Sequence, residues 1–287
     1  MTHEEDLWLI VGGDSTIGAA LARQAGRRAI CTSRRPASDN VLSLDLASDP
    51  ASWVLPESIE VVFLCAAVTS IEVCRTQPAE TRLVNVERTL SLARLLAARG
   101  AHVVFLSTNQ VFDGSRPHRL ASDPTCPQTE YGRQKAEAER GILDLGGAVV
   151  RLTKVMAEVP PLFRSWDAAL REGRTIAPFE DLFFSPVPLD AVMRTLVEVG
   201  ARRLSGIVQV SGACDVSYAD VAKRLAADRD LVRPVSVASK GIRPEAAPRF
   251  TTLDCSRLNC ELSIAIPAVF ETIDSLFGST TSHQRAA

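Results

Sequence analysis

The chain lacks both a long apolar run and an excess of charge of either sign. Its longest uninterrupted apolar segment, residues 61–68, is far shorter than a bilayer-spanning helix requires. The formal net charge is −2 at pH 7, and no basic block interrupts the sequence. This balance favours neither a nucleic-acid partner nor an anionic membrane surface. The acidic start "MTHEED" has no signal-peptide pattern, so we expect a cytoplasmic protein.

The cysteines and histidines do not form the sequence patterns that metal sites and disulfide frameworks require. The seven cysteines are scattered and form no C-x-x-C pair, so we predict neither a disulfide framework nor a metal site. Cys31 and Cys65 lie in apolar runs and are predicted to be small core residues. Two of the four histidines lie near the ends of the chain, which leaves few candidates for a histidine-based hydrolase.

Apolar segments of strand length alternate along the chain with amphipathic segments of helical length. Strands are predicted over 7–11, 29–33, 41–46, 59–68, 102–108, 147–156 and 206–212, and helices over 17–25, 78–99, 131–142, 161–173 and 217–230. Such alternation is typical of a parallel sheet with helices on both faces. We therefore predict an α/β fold, a doubly wound parallel sheet of Rossmann type, with its ligand at the carboxyl ends of the strands.

The second half of the chain is less regular and is punctuated by prolines. We predict a dinucleotide-binding domain over 1–156 and about 189–212. A smaller, discontinuous C-terminal substrate lobe is predicted over about 157–188 and 213–277, and a disordered polar tail over 278–287.

The segment "LWLIVGGDSTIGAALARQAG" (7–26) is a strand, a turn and a helix, and it admits two interpretations. A nucleophile elbow that presents Ser15 needs G-x-S-x-G, but Ile17 stands at the second glycine position. A dinucleotide loop needs backbone close to a pyrophosphate at a helix N-terminus. Gly12 and Gly18 fit the tight turn and the helix–strand contact, and the Ser15 hydroxyl is available in this interpretation to donate to a phosphate. The second interpretation is favoured.

Tyr131 and Lys135 are four residues apart and so share one face of a predicted helix. An ammonium beside a phenol favours the phenolate, which predicts a Tyr131 pKa below its usual value and an acid/base group near neutral pH. Taken alone, a Y-x-x-x-K is more often a surface tyrosine beside a solvated lysine. The chain has only two tyrosines, however, and this one follows a buried strand.

Two strand ends carry further candidate residues. Ser107 and Thr108 close the strand over 102–108, where substrate-facing groups belong, although they are equally suited to capping local backbone. The second strand ends in Ser33, Arg34 and Arg35, without the carboxylate that would hold a ribose diol. Because arginine suits a 2′-phosphate, NADP is the preferred cofactor and NAD the alternative.

Several longer motifs resemble those of the extended short-chain dehydrogenase/reductases. They are the glycine loop, "LDL" (44–46), "CAAVT" (65–69), "VNVERT" (84–89), "STNQVFDG" (107–114), the Y-x-x-x-K helix, "SPVPLDAV" (185–192) and "APRFTTLDCSRL" (247–258). The resemblance runs nearly end to end and is strongest to the dTDP-4-dehydrorhamnose reductase branch, whose members reduce a keto group on a nucleotide-linked deoxysugar. It implies an NADP-dependent reductase with a nucleotide-linked sugar as substrate, and a homodimer is a further expectation.

The resemblance also implies roles for individual residues. Thr108 would orient the substrate carbonyl, Tyr131 would deliver a proton, and Lys135 would hold the nicotinamide ribose. Asn85 would support the helix of Lys135 or its water. The implied cofactor-binding set is Gly12, Asp14, Ser15, Thr16, Ile17, Gly18, Ser33, Arg34, Arg35, Asp45, Leu46, Cys65, Ala66, Ala67, Asn85, Tyr131 and Lys135. The implied substrate-binding set is Ser107, Asn109, Gln110 and Arg249.

The chain departs from the pattern of this branch at three places. Ser15 replaces the middle glycine of the loop, Asn109-Gln110 replaces the usual Asp-Tyr, and Arg249-Phe250 stands near an expected Arg-Pro pair. Dehydration is disfavoured, because Asn109-Gln110 lacks the acid/base pair of dehydratases. Two alternatives stay open: a cofactor-binding regulatory subunit without turnover, similar to that of methionine adenosyltransferase, and another sugar-nucleotide epimerase or dehydrogenase.

Overall fold

A computed structural model describes residues 7–35, 40–241 and 247–284 of the chain. Seven parallel strands form its central sheet in the order β10-β6-β5-β4-β1-β2-β3. Their bounds are β1 Trp8–Val11, β2 Ala29–Ser33, β3 Val41–Ser43, β4 Val61–Leu64, β5 His102–Thr108, β6 Ala148–Leu152 and β10 Gly206–Val210. The sheet confirms the predicted doubly wound fold. Residues 36–39 of the predicted dinucleotide-binding domain and residues 242–246 of the predicted substrate lobe lie outside the described chain.

The strand order reverses at β1, and this reversal positions the site. The chain passes from β1 to β2 and β3 on one side, then crosses to β4, which pairs with β1 on the other side. In open parallel sheets, ligands bind outside the carboxyl ends of the strands where the order reverses. The loops after β1, β4 and β5 therefore border the expected crevice.

Helices cover both faces of the sheet. The described helices are α1 Thr16–Ala25, α2 Ile71–Thr76, α3 Pro78–Arg82, α4 Thr89–Ala98, α5 Glu130–Asp144, α6 Pro161–Arg171, α7 Leu189–Ala201, α8 Tyr218–Leu225, α9 Ser256–Leu262 and α10 Val269–Gln284. Buried residues of α1, α7 and α9 pack on one face, and those of α4 and α5 pack on the other. The strands are buried on both sides, which explains why they are continuously apolar.

A third apolar cluster lies in the irregular half of the chain. It joins α6, α8 and α10 through residues such as Phe163, Trp166 and Ile273. Phe184 and Tyr218 extend it, with ring centroids 4.9 Å apart. Two short sheets, β11 (Val216–Ser217) with β8 (Phe183–Phe184) and β7 (Lys154–Met156) with β9 (Pro186–Pro188), belong to this half. The domain boundaries stay a prediction.

Several elements differ from their predicted bounds. The predicted helix over 78–99 is divided by a π-helical stretch, Leu83–Arg88, and Asn85 within it bonds to the neighbouring loop and helix. The predicted strand over 147–156 is two strands, since β7 leaves the central sheet to pair with β9. The tail predicted to be disordered from residue 278 is helical through Gln284, and residues 285–287 lie outside the described chain. Among the described residues, none of the helices combines the length and the hydropathy of a bilayer-spanning segment.

Candidate active site

The glycine loop between β1 and α1 is shaped by close backbone contacts. Gly12 has φ +87°, and a Cβ there would lie 2.9 Å from Ala66 in the loop after β4. A Cβ on Gly18 would lie 2.3 Å from the carbonyl oxygen of Gly12. Both positions therefore require glycine, one for the turn and one for the helix–strand contact, which are the two roles that the dinucleotide interpretation assigns.

Ser15 is the N-cap of α1. Its Oγ donates to the Gly12 carbonyl at 2.8 Å and accepts from the Gly18 N–H at 3.0 Å. The single hydroxyl proton of Ser15 is bonded to Gly12 in this structure, and the predicted donation from Ser15 to a phosphate stays a prediction. The N–H groups of Thr16 and Ile17 have no intrahelical acceptor and carry the positive end of the helix dipole, so they suit an anion.

The end of β2 is bonded to the same loop. Thr32 accepts from Gly12 N at 3.2 Å through Oγ1 and from Gly13 N at 2.8 Å through its carbonyl. Ser33 Oγ donates to Asp14 Oδ2 at 2.8 Å, so a carboxylate does lie at this strand end. The sequence argument found none there because Asp14 arrives from the glycine loop, 19 residues earlier.

The other predicted cofactor residues lie along the same edge of the sheet. Arg34 and Arg35 are exposed beyond β2. Cys65, Ala66 and Ala67 are half-buried directly after β4, and both Cys31 and Cys65 pack against the core, as predicted. Near the end of β3, Asp45 is exposed and Leu46 is buried.

Tyr131 and Lys135 lie one turn apart near the start of α5, and both are buried. Thr129 caps this helix by accepting from Gly132 N at 3.0 Å. Lys135 Nζ donates to the Leu106 carbonyl of β5 at 2.6 Å and lies 4.0 Å from the centroid of the Phe105 ring. The surface interpretation of this pair is therefore wrong, since Tyr131 is 8% and Lys135 3% exposed.

Burial controls the pKa of both groups. It raises the pKa of Tyr131, with a smaller contribution from Cys74, and it lowers that of Lys135 from 10.5 to about 8. The predicted lowering of the Tyr131 pKa is wrong for this structure, because burial disfavours the phenolate and raises the pKa instead. The phenol consequently keeps its proton at neutral pH, as a proton donor must.

Thr108 and Ser107 end β5 but face opposite sides of the sheet. Thr108 Oγ1 accepts from Gln110 N at 3.2 Å and so caps the turn Asn109–Val111 beside α5. Ser107 Oγ donates at 2.5 Å to Glu139, which pairs with Arg151 at 2.7 Å. That ion pair is 2% exposed on both sides, so Ser107 bonds to a buried pair in this structure, and its predicted substrate contact stays a prediction.

Asn85 connects two elements around the site. Its amide bonds to both the N–H and the carbonyl of Val68, at 2.8 and 2.9 Å, and donates to Gln134 of α5 at 2.8 Å. It is buried and next to the helix that carries Lys135. The side chain therefore holds α5 against the loop after β4.

The substrate-side residues border a small cleft. Asn109 and Gln110 line it together with Pro248 and Phe250. Arg249 itself is exposed, with its guanidinium 5.4 Å from the centroid of the Phe250 ring. The predicted substrate contact of Arg249 therefore stays a prediction, while its two neighbours reach the cleft.

The segment that carries these residues is held by Asp215, which sequence reasoning missed. Its carboxylate accepts from the N–H and hydroxyl of Thr251 at 2.7 and 2.6 Å, and from those of Thr252 at 3.4 and 2.8 Å. Gly132 was also missed: a Cβ there would lie 2.2 Å from the Gln110 carbonyl oxygen. A glycine inside a helix immediately after the candidate tyrosine was the available signal for this close approach.

Proteins that join such a parallel sheet and glycine loop to a Tyr-x-x-x-Lys helix form the short-chain dehydrogenase/reductase class, and this chain is one of them. A family model described as RmlD substrate binding domain matches residues 7–280. The chain therefore belongs to that family.

The chain is also similar to individual proteins of known sequence or structure. The chain is 29% identical over 267 residues to a dTDP-4-dehydrorhamnose reductase of Streptomyces griseus, covering 87% of this chain and 86% of the relative. It is 30% identical over 164 residues to the methionine adenosyltransferase 2 subunit beta of Rattus norvegicus, covering 55% and 49%. The structure of a Bacillus anthracis dTDP-4-dehydrorhamnose reductase in complex with NADP has a TM-score of 0.77 at 18% identity, covering 96% and 99%.

Proposed function

We propose that this chain is an NADP-dependent reductase that acts on a keto group of a nucleotide-linked deoxysugar. One observation carries the proposal: the buried Tyr131 and Lys135 lie one helical turn apart on α5, and Lys135 bonds to β5 next to the strand-terminal Thr108. This group borders the carboxyl edge of the sheet, where the glycine loop also lies.

The residues of this edge fit a dinucleotide. The backbone of the glycine loop is free of side chains at Gly12 and Gly13, and the first turn of α1 presents the N–H groups of Thr16 and Ile17 to a pyrophosphate. When bound, the reduced nicotinamide supplies the hydride. Arg34 and Arg35 suit a 2′-phosphate, which supports NADP over NAD.

The chain's own groups supply and position the proton. Reduction of a carbonyl leaves an alkoxide that must be protonated, and the protonated phenol of Tyr131 meets this need. Thr108 would hold the substrate oxygen through its hydroxyl, and the ammonium of Lys135 would hold the nicotinamide ribose. Burial of Tyr131 keeps the phenol protonated until the more basic alkoxide takes its proton.

The relatives support this reaction class. The Streptomyces griseus protein, which the chain matches over most of its length, is named as a dTDP-4-dehydrorhamnose reductase. Asn109 and Gln110 carry no titratable group, which favours simple reduction over dehydration. A nucleotide-linked 4-keto sugar is therefore the substrate class to test first.

The test removes the phenolic oxygen of Tyr131. Tyr131→Phe is expected to keep NADPH affinity and lose about 10²-fold or more in single-turnover NADPH oxidation with a nucleotide-linked 4-keto sugar. Tyr218→Phe is the matched control, because Tyr218 packs in the aromatic cluster with Phe184 and Phe163. Equal turnover of Tyr131→Phe and the parent protein would exclude Tyr131 as the proton donor.

A second candidate is a regulatory subunit that binds the cofactor without turnover. The similarity to methionine adenosyltransferase 2 subunit beta over 164 residues favours it, although that match covers only 49% of the relative. Binding of NADPH by calorimetry, with no NADPH oxidation across a panel of nucleotide-linked keto sugars, would favour this candidate over the reductase.

A further inference from the structure

The carboxylate of Asp14 lies at the end of β2, which its position in the sequence does not indicate. It belongs to the glycine loop, but Ser33 Oγ at the end of β2 donates to its Oδ2 at 2.8 Å. Ser33 Oγ in turn accepts from Arg35 N at 3.0 Å. The adjacent loop residues Gly12 and Gly13 are bonded to Thr32, so the loop and the strand end form one bonded unit.

This strand end is where dinucleotide folds distinguish their cofactors. An acidic side chain just beyond the second strand accepts hydrogen bonds from the adenosine ribose, and an arginine there accommodates a 2′-phosphate. Asp14 and the pair Arg34 and Arg35 are all exposed at this one place. A carboxylate has about four lone-pair sites, of which Ser33 uses one, so Asp14 retains acceptor capacity toward a diol.

We propose that Asp14 is a specificity-determining residue that limits the preference for NADP(H). Its carboxylate accepts a hydrogen bond from a ribose hydroxyl of NAD(H) and repels the 2′-phosphate that Arg34 and Arg35 attract. Cofactor choice is then set by opposing charges from two segments of the chain, the glycine loop and the end of β2. The inference rests on the proposed cofactor function and adds the residue that opposes the arginines.

The direct test measures the affinities for NADPH and NADH before and after one charge is removed. Asp14→Asn keeps an oxygen that accepts from Ser33 and removes the negative charge. Calorimetric titration of the full chain should show NADPH binding about fivefold more tightly than to the parent protein, a ratio equal to about 1 kcal/mol. NADH binding should stay equal or weaken, so the NADPH-to-NADH affinity ratio rises.

The control removes the same formal charge elsewhere. Glu57 is exposed and lies before β4, at the amino edge of the sheet and away from the glycine loop. Glu57→Gln should leave the affinity ratio unchanged. Ser33→Ala keeps the charge of Asp14 but releases the hydrogen bond that holds it, so its ratio should lie between those of the parent protein and Asp14→Asn.

The outcomes separate this inference from the proposed function. If the parent protein binds NADPH and Asp14→Asn leaves the affinity ratio unchanged, Asp14 does not determine specificity and the cofactor function stands. A ratio that moves equally in Glu57→Gln would also overturn the inference, because the effect would then be one of net charge. If the parent protein binds neither cofactor, the proposed function and the inference fail together. Near-ultraviolet circular dichroism of each variant checks that the fold is retained.

Discussion

Gly132 provides the sharpest link between packing and activity. A Cβ at this position would lie 2.2 Å from the Gln110 carbonyl oxygen and 3.0 Å from Pro127 Cβ. Gly132→Ala must therefore separate α5 from the turn Asn109–Val111 by about 1 Å, a displacement that can cost about 10²-fold in rate at a reacting centre. The turn is capped by Thr108, and Tyr131 precedes Gly132, so both groups move relative to each other.

The effect on stability has two opposing parts. Alanine is better than glycine inside a helix by about 1 kcal/mol. Overpacking against a backbone carbonyl costs about 1–3 kcal/mol, because the carbonyl cannot rotate away as a side chain does. We therefore expect Gly132→Ala to lower the free energy of unfolding by up to about 2 kcal/mol, the difference of those two ranges.

Gly141 of the same helix is the matched control. A Cβ there would lie 2.6 Å from Leu90 Cδ2, the end of a flexible side chain, so Leu90 can move aside. Gly141→Ala should keep turnover and unfold at an equal or higher urea midpoint. Single-turnover NADPH oxidation and urea denaturation of both variants test the argument. Equal turnover and equal midpoints in the two variants would refute it.

Three further changes test the structure around the site. Glu139→Gln leaves the guanidinium of Arg151 buried without its counter-charge, and urea denaturation should show a loss of about 3–5 kcal/mol; a loss below about 1 kcal/mol would contradict a buried pair. For Lys135, whose pKa falls from 10.5 to about 8 on folding, the folded chain binds fewer protons between those values, so stability rises with pH there. The melting temperature of the parent protein minus that of Lys135→Met should therefore increase from pH 8 to 10.5, and a constant difference would contradict a buried Lys135. Ser15→Ala removes the cap of α1 and should cost about 1 kcal/mol in urea denaturation, whereas Ser15→Gly should cost only a few tenths; equal losses would contradict the capping role.

The fold followed from local patterns in the sequence. Continuous apolar strands, amphipathic helices and the glycine loop each depend on neighbours within about one element, so the sheet and its crevice were predictable. Tyr131 and Lys135 were placed by helical spacing alone. Such patterns cannot report the burial of a side chain by distant elements, and the predicted pKa of Tyr131 was wrong for that reason.

A contact between distant residues explains why the carboxylate at the end of β2 was missed. Asp14 meets Ser33 across 19 residues, and no spacing within either segment indicates that the carboxylate reaches β2. Ser107 is different, because the alternation of side chains along a strand already places it opposite Thr108. Only one of these two neighbours can face the crevice. The hydrogen bond from Ser107 to the buried Glu139 shows that Ser107 faces the other side, and the sequence alone could not show this.

The bonds of Asp215 have a consequence for how the length of this chain can vary. Asp215 and Thr251 are 36 residues apart, and their contact closes a loop in which the chain leaves the site and returns to it. The entropy of closing a flexible loop grows only with the logarithm of its length, so doubling the loop costs about 0.6 kcal/mol. Insertions or deletions between the two anchor points therefore change the free energy of unfolding little, provided the apolar cluster around α8 stays intact. The segment between Asp215 and Thr251 can therefore be lengthened or shortened by design while Pro248 and Phe250 stay at the cleft.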